Sequence, residues 1–307
     1  MGPQPLLLLT AAAMLAASGA AHGAPGDDRA AQELRLATVG YRLTTGSANW
    51  CPAIQMQPGW LLGDPRRFST GEWKAVGPSY GVSEDGPFAA AIAPGSPSDR
   101  AGLARGATIA AIDGQPVPTL GDGPTIRIDA AIVMIAALSP TAGATVTDGA
   151  GRDYEFTPSP GCASSFRIER SGPQAAANGQ LVRVTLRLAQ STEDDAEFAA
   201  VVAHELAHNI LRHPARLKND RSVDRVRQTE LEADRLSVWL LADAGYDPHA
   251  AIRFWQRHKK PLVRAATHPP RSERIAAIEA EIAAMTAARA ADPAARPALV
   301  VAPPPLE

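Results

Sequence analysis

No apolar run in the interior of this chain approaches the roughly 20 residues that a membrane-spanning helix needs. The longest, Ala130 to Leu138, is about half that length, so no transmembrane span is expected. Cysteine is scarce as well: Cys51 and Cys162 are the only two. Neither lies near the histidine and glutamate motifs described below, which argues against a thiolate metal site. Charge of one sign is also missing, because a net charge of −2 gives no global reason to expect a nucleic-acid partner. The basic clusters from Arg212 to Arg227 and from Arg253 to Arg264 read as solvated helix faces. No internal repeat is present, and the five tryptophans are scattered, as expected of residues that pack in cores.

At the start of the chain no Lys or Arg precedes Arg29, yet Leu6 to Ala17 forms a short apolar stretch followed by small residues. It reads as an export signal over residues 1–23, with processing sites after Ala20 or Gly23, and predicts a periplasmic or cell-envelope location in a bacterium. In an oxidising compartment Cys51 and Cys162 would pair; two buried thiols are the alternative.

The chemistry sits in His204-Glu205-Leu206-Ala207-His208. Phe198, Val201, Val202 and Ile210 share one side of a predicted helix from Asp195 to Leu211, capped by Ser191 or Thr192 and stopped by Pro214. Residues four apart share a face, so both imidazoles can reach one ion, with Glu205 at its edge as general base. A catalytic zinc also needs a third protein ligand. The metzincin pattern would require Gly and His where this chain has Leu211 and Pro214, so that pattern is excluded. A second predicted helix carries Glu230 and Asp234 on one face, before a stop at Gly245. The expected site is therefore one Zn2+ held by His204, His208 and Glu230, with Asp234 on the far ring nitrogen of a ligand histidine. Glu232 falls on another side of the helix and reads as a solvated charge.

From about Gln180 to Glu281 the chain resembles the soluble branch of the family-48 metallopeptidases, the gluzincins that include the CAAX prenyl protease and HtpX. The residues that carry the resemblance are the Leu181 to Thr185 strand, "EFAAVVAHELAHNILRH", "ELEADRLSVWLLADAGYDP" and "THPPRSERIAAIEAEI". It implies the same zinc ligands, Glu205 as base, and peptide hydrolysis. The strand alternates apolar and polar residues and is either a substrate-pairing edge or a core strand. His268 matches the family's His-Pro element; it is a candidate for oxyanion stabilisation, for a latch over the metal, or for a plain loop residue. Arg274 could serve the same oxyanion or a salt bridge.

Between Trp73 and Cys162, "YGVSEDGPFAAAIAPGSPSDRAGLARGATIAAIDGQPV" resembles a PDZ domain of the kind attached to bacterial proteases. The resemblance implies a peptide groove lined by a helix from Ile126 to Leu138. Tyr80, Gly81 and Val82 would form the loop that catches a peptide carboxylate, unless the unit is only a spacer or cover. The predicted fold class is α+β: a PDZ-like, β-rich domain followed by a mainly helical zincin-type domain with a small edge-strand sheet. The expected divisions are a helical segment over 24–71 packing on the PDZ unit, the PDZ-like domain over 72–165 and the metallopeptidase over 172–285. A polar linker over 172–179 separates the two domains, and an Ala/Pro-rich tail without structure fills 286–307. Two functions follow. One is an exported zinc endopeptidase acting on unfolded or mis-assembled envelope proteins; the other is a peptide-binding, chaperone-like protein with weak or latched hydrolysis.

Overall fold

A computed structural model describes residues 25–82, 85–258 and 268–302. The expected export signal lies outside them. The chain mixes helix and strand in α+β fashion. Helix α1 (Pro25–Gly46) leads into strands β1 (Ile54–Met56) and β2 (Trp60–Gly63), then α2 (Thr70–Tyr80), β3 (Phe88–Ile92) and α3 (Pro97–Arg100). Next come β4 (Ile109–Ile112), β5 (Gln115–Pro116), α4 (Ile126–Ala137), β6 (Ala144–Asp148), β7 (Asp153–Phe156) and β8 (Pro160–Cys162). The remainder is β9 (Ser165–Glu169), β10 (Ala175–Ala177), β11 (Leu181–Thr185), α5 (Leu186–Ser191), α6 (Asp195–Ile210), α7 (His213–Arg216), α8 (Val223–Asp243), α9 (His249–Arg257), α10 (Arg271–Ala291) and α11 (Ala298–Val301). Among the described residues no helix is long and apolar enough to cross a membrane.

Two principal cores organise these elements. Residues of the antiparallel sheet β5-β4-β6-β7, such as Ile109, Ile112, Val146 and Phe156, bury against Ile128 and Ile135 of α4. The second core joins Phe198, Val202 and Leu206 of α6 to Leu236 and Leu240 of α8 and Ile278 of α10. Leu36, Val39 and Leu43 of α1 belong to this second core, although α1 also packs on β2 and β3. The helix expected to serve the PDZ-like unit is therefore as much part of the helical half. Gly40 makes the close approach possible, since a Cβ there would stand 2.6 Å from the Phe166 ring of β9. The 24–71 segment is not wholly helical either, because it contributes β1 and β2. A disulfide between Cys51 and Cys162, with Cα atoms 5.4 Å apart, ties the end of this segment to β8.

Several local expectations change. Tyr80 and Gly81 end a helix rather than forming a loop. Ser69 and Glu72 make a reciprocal capping box that starts α2, and Gly81, at φ 72°, closes it in the left-handed conformation. Tyr80 is buried against Trp73 and Phe88, with its hydroxyl donating to Glu33 at 2.7 Å. The Gly81 amide is bonded to Pro78 O, so it is not offered to a peptide carboxylate. Val82 packs on the same aromatic cluster. The expected linker over 172–179 contains β10, which pairs antiparallel with β11; small residues there hid a strand. That pairing, with β9 parallel on the other side, makes β11 the central strand and β10 an edge. The Ala-rich end is helical to Ala291, as suits the best helix-forming residue, and Ala288, Ala295 and Leu299 pack on the second core.

Candidate metal centre

Helix α6 begins at Asp194, not at Ser191 or Thr192: the Asp194 carboxylate accepts from the Glu197 amide at 2.8 Å. Thr192 instead accepts from Arg35 of α1, which also bonds Ala189 O and stacks over Phe198. One helical turn then separates His204 and His208, and their Nε2 atoms converge to 3.1 Å. Glu230 of α8 faces both, with Oε2 3.5 Å from His204 Nε2 and Oε1 3.5 Å from His208 Nε2. All three groups offer donor atoms within 4.8 Å of one another.

The surroundings determine which ring nitrogens are free. Asp234, one turn beyond Glu230, stands 3.0 Å from His204 Nδ1 and so accepts its proton. Arg274 of α10 holds Asp234 with two hydrogen bonds of 2.6 and 2.7 Å, lies 3.3 Å from Glu230, and stacks over Trp255. Arg274 is thus an ion-pair residue that orients the carboxylates. Glu232 differs from expectation: it is 5% exposed, and it contacts Arg216, His213 and Gln228. Sequence spacing could not show the two charged or ring partners, His213 and Arg216, because they come from α7. His268 Nδ1 lies 3.1 Å from Glu230 Oε2, which places it beside a ligand atom. Tyr80 and Val82 belong to the separate aromatic cluster and Gly81 to the helix end before it, so these three take no part here.

Charge explains why this arrangement suits a cation. Burial and the Arg274 charge push His204 downward, but hydrogen bonds to Asp234 and Glu230 outweigh them and raise it to about 9. Burial and the neighbouring His204 hold His208 well below its ordinary value. Burial would raise Glu230, yet its contacts with His204 and His268 bring it well below the carboxylate range. Two ring nitrogens and a carboxylate oxygen this close repel unless a positive charge lies between them. The extra proton on His204 meets that demand, and a divalent metal of borderline softness meets it with N, N and O donors. The donor set therefore fits zinc. Burial, reinforced by Glu230, lifts the Glu205 carboxyl to about 7 against the opposing pull of His204.

These groups form one wall of a cleft of about 730 Å³, which edge strand β10 also lines, together with Val201, Phe254 and Trp255. Asn209, on the same helix as the histidines, fixes the strand's exit. It accepts from the Gly179 amide at 2.6 Å and donates to Ser164 at 2.9 Å.

Comparison with known proteins points to the same segment. Over 118 residues the chain is 31% identical to the mitochondrial metalloendopeptidase OMA1 of Schizosaccharomyces pombe, an alignment covering 27% of this chain and 35% of that relative. The chain thus spans about a third of the relative's length. Residues 168–223 and 218–282 match the profile of Peptidase family M48, so the stretch from β9 to α10 that builds the metal centre carries the pattern of that metallopeptidase family.

Proposed function

We propose that this chain is a zinc-dependent metalloendopeptidase, with His204, His208 and Glu230 as ligands, Asp234 orienting His204, and Glu205 as general base. The observation that carries the reading is the convergence of those three donors beside a free sheet edge in one cleft. Zinc bound there would supply Lewis-acid charge that polarises a scissile carbonyl and brings the pKa of water to about 7. Glu205, near neutrality, can take a proton from the attacking water and deliver it to the leaving amine. Strand β10 has one edge paired with β11, so a substrate backbone can add along the other.

The finer reading is that the chain is exported to the bacterial envelope and acts on unfolded or mis-assembled proteins there. The apolar leader and a disulfide suited to an oxidising compartment support it. The β-rich unit is read as a PDZ-like recruiting or gating module, with α4 as one wall of its groove. A second reading, of a peptide-binding protein with latched hydrolysis, draws on His268 beside Glu230.

The test combines zinc analysis with cleavage of an unfolded protein such as casein. Glu205→Gln is expected to retain zinc and lose about 10²–10⁴-fold in rate. Stoichiometric zinc with no cleavage by the wild type, even after His268→Ala, would favour the binding reading. A large gain in cleavage on His268→Ala would identify a latch.

A further inference from the structure

Asp234 supports His204 directly, whereas among the described residues no carboxylate is bonded to the far nitrogen of His208. Its Nδ1 lies instead 2.8 Å from Nδ1 of His213. The other nitrogen of His213 lies 3.0 Å from Glu232 Oε2. Arg216 and Gln228 hold that carboxylate in place, and His213 is 1% exposed. Local backbone conformation creates the row. Arg212 adopts φ 57°, a left-handed conformation disfavoured for a non-glycine residue. This reversal directly after α6 turns α7 back, so that its first residue stands beside His208 and its last reaches Glu232.

For a neutral His213 the donor count along the row has one solution. Glu232, paired with Arg216, can only accept, so His213 must donate from Nε2. A neutral His213 then presents a lone pair at Nδ1, and His208 Nδ1 must donate to it. The proton of His208 is thereby fixed on the side away from the cleft, leaving Nε2 bare toward Glu230 and His204.

We propose that His213 and Glu232 form a hydrogen-bond relay that fixes the tautomer and ring orientation of the ligand His208, as positioning residues one and two steps removed from that ligand. The relay completes a symmetry within α8: Asp234 orients one histidine directly, and Glu232 orients the other through an intervening imidazole. It rests on the metal-site part of the proposed function and not on hydrolysis.

The test reads zinc affinity by chelator competition and the His208 tautomer by long-range proton–nitrogen NMR on the metal-free chain. His213→Ala leaves the Glu232–Arg216 pair intact. It is expected to weaken zinc about 10–100-fold, the usual cost of losing an outer partner, and to move His208 away from a single Nδ1–H tautomer. His213→Asn, whose side-chain oxygen can accept near the former Nδ1, is expected to restore much of both. Wild-type zinc affinity and an unchanged tautomer in a folded His213→Ala would overturn the relay. If that variant does not fold, the wild-type spectrum decides: His208 protonated on Nε2 in the metal-free chain overturns the proposal, and protonation on Nδ1 supports it. A wild type that binds no zinc refutes the metal-site reading, and the same spectrum still judges the relay.

Discussion

Each half of the molecule buries an arginine at the centre of a charge network, and the two networks are completed differently. In the β-rich half Arg127 is 2% exposed and bonds both oxygens of Asp64 at 2.7 and 2.6 Å and both oxygens of Asp85 at 3.1 and 2.7 Å. Every strong group there finds its partner in another side chain. In the helical half Arg274 and Arg216 also saturate carboxylates, Asp234 and Glu232, but the chain of bonds ends on two ring nitrogens and Glu230 that converge on one wall of a cleft. A network closed on itself holds a fold together. One that ends in converging lone pairs needs a cation, and this difference separates a buried salt bridge from a site.

The largest effect that would break the comparison comes from the converging atoms. His208→Ala or Glu230→Ala is expected to abolish stoichiometric zinc, losing more than the roughly 10–100-fold of an outer-partner change, while Asp64→Ala leaves zinc affinity within about twofold. Metal titration of the three variants checks this. Reducing the Cys51–Cys162 bond acts on both halves alike, since it closes a loop of 111 residues between α1 and β8. Chain entropy puts the loss at about 4–5 kcal/mol, read as a lower denaturant midpoint in reductant. Asp64→Ala itself, which strands half of the Arg127 charge, is expected to cost about 3–5 kcal/mol by thermal or chemical unfolding. Retained stability there would show that the closed network is dispensable.

The smallest effect concerns pH. Burial works to raise Glu232, but hydrogen bonds from His213 and Arg216 bring it down to about 2, from an ordinary 4.5. Its folded pKa is depressed, so its contribution is present above about pH 4.5 and drains away as pH falls toward 2. Unfolding at pH 7 and pH 3 should therefore separate the wild type more than it separates Glu232→Gln.

The sequence made the metal helix legible because four-residue spacing and a 3.6-residue turn decide which side chains meet. His204, His208, Glu230 and Asp234 come together in the structure on that geometry. Glu232 escaped because its partners His213 and Arg216 reach it through the left-handed turn at Arg212, and nothing in an arginine signals positive φ. Strand β10 escaped because Ala175 to Ala177, among Gly, Pro and Asn, carries no β-branched or aromatic signal. Tyr80 was misplaced for a different cause: a motif likeness outweighed the capping signals of Ser69 and Glu72 that begin its helix.

Helix α1 finally bears on how the chain acquires its structure during synthesis. Leu36 packs in a core that holds Trp50 and Leu61, near it in the chain, and Phe198 and Leu236, far from it. On a ribosome adding about 5–20 residues per second, Leu36 waits roughly 8–30 s before Phe198 exists. Until then its apolar side is covered by earlier elements that it packs on, among them β2, β3 and β9. The β-rich half, whose core lies within residues 56–156, can mature in that interval and act as a template that keeps the helix from other chains. The candidate metal centre thus cannot be complete before α8 is made, and a chain interrupted before α8 would carry His204 and His208 without Glu230.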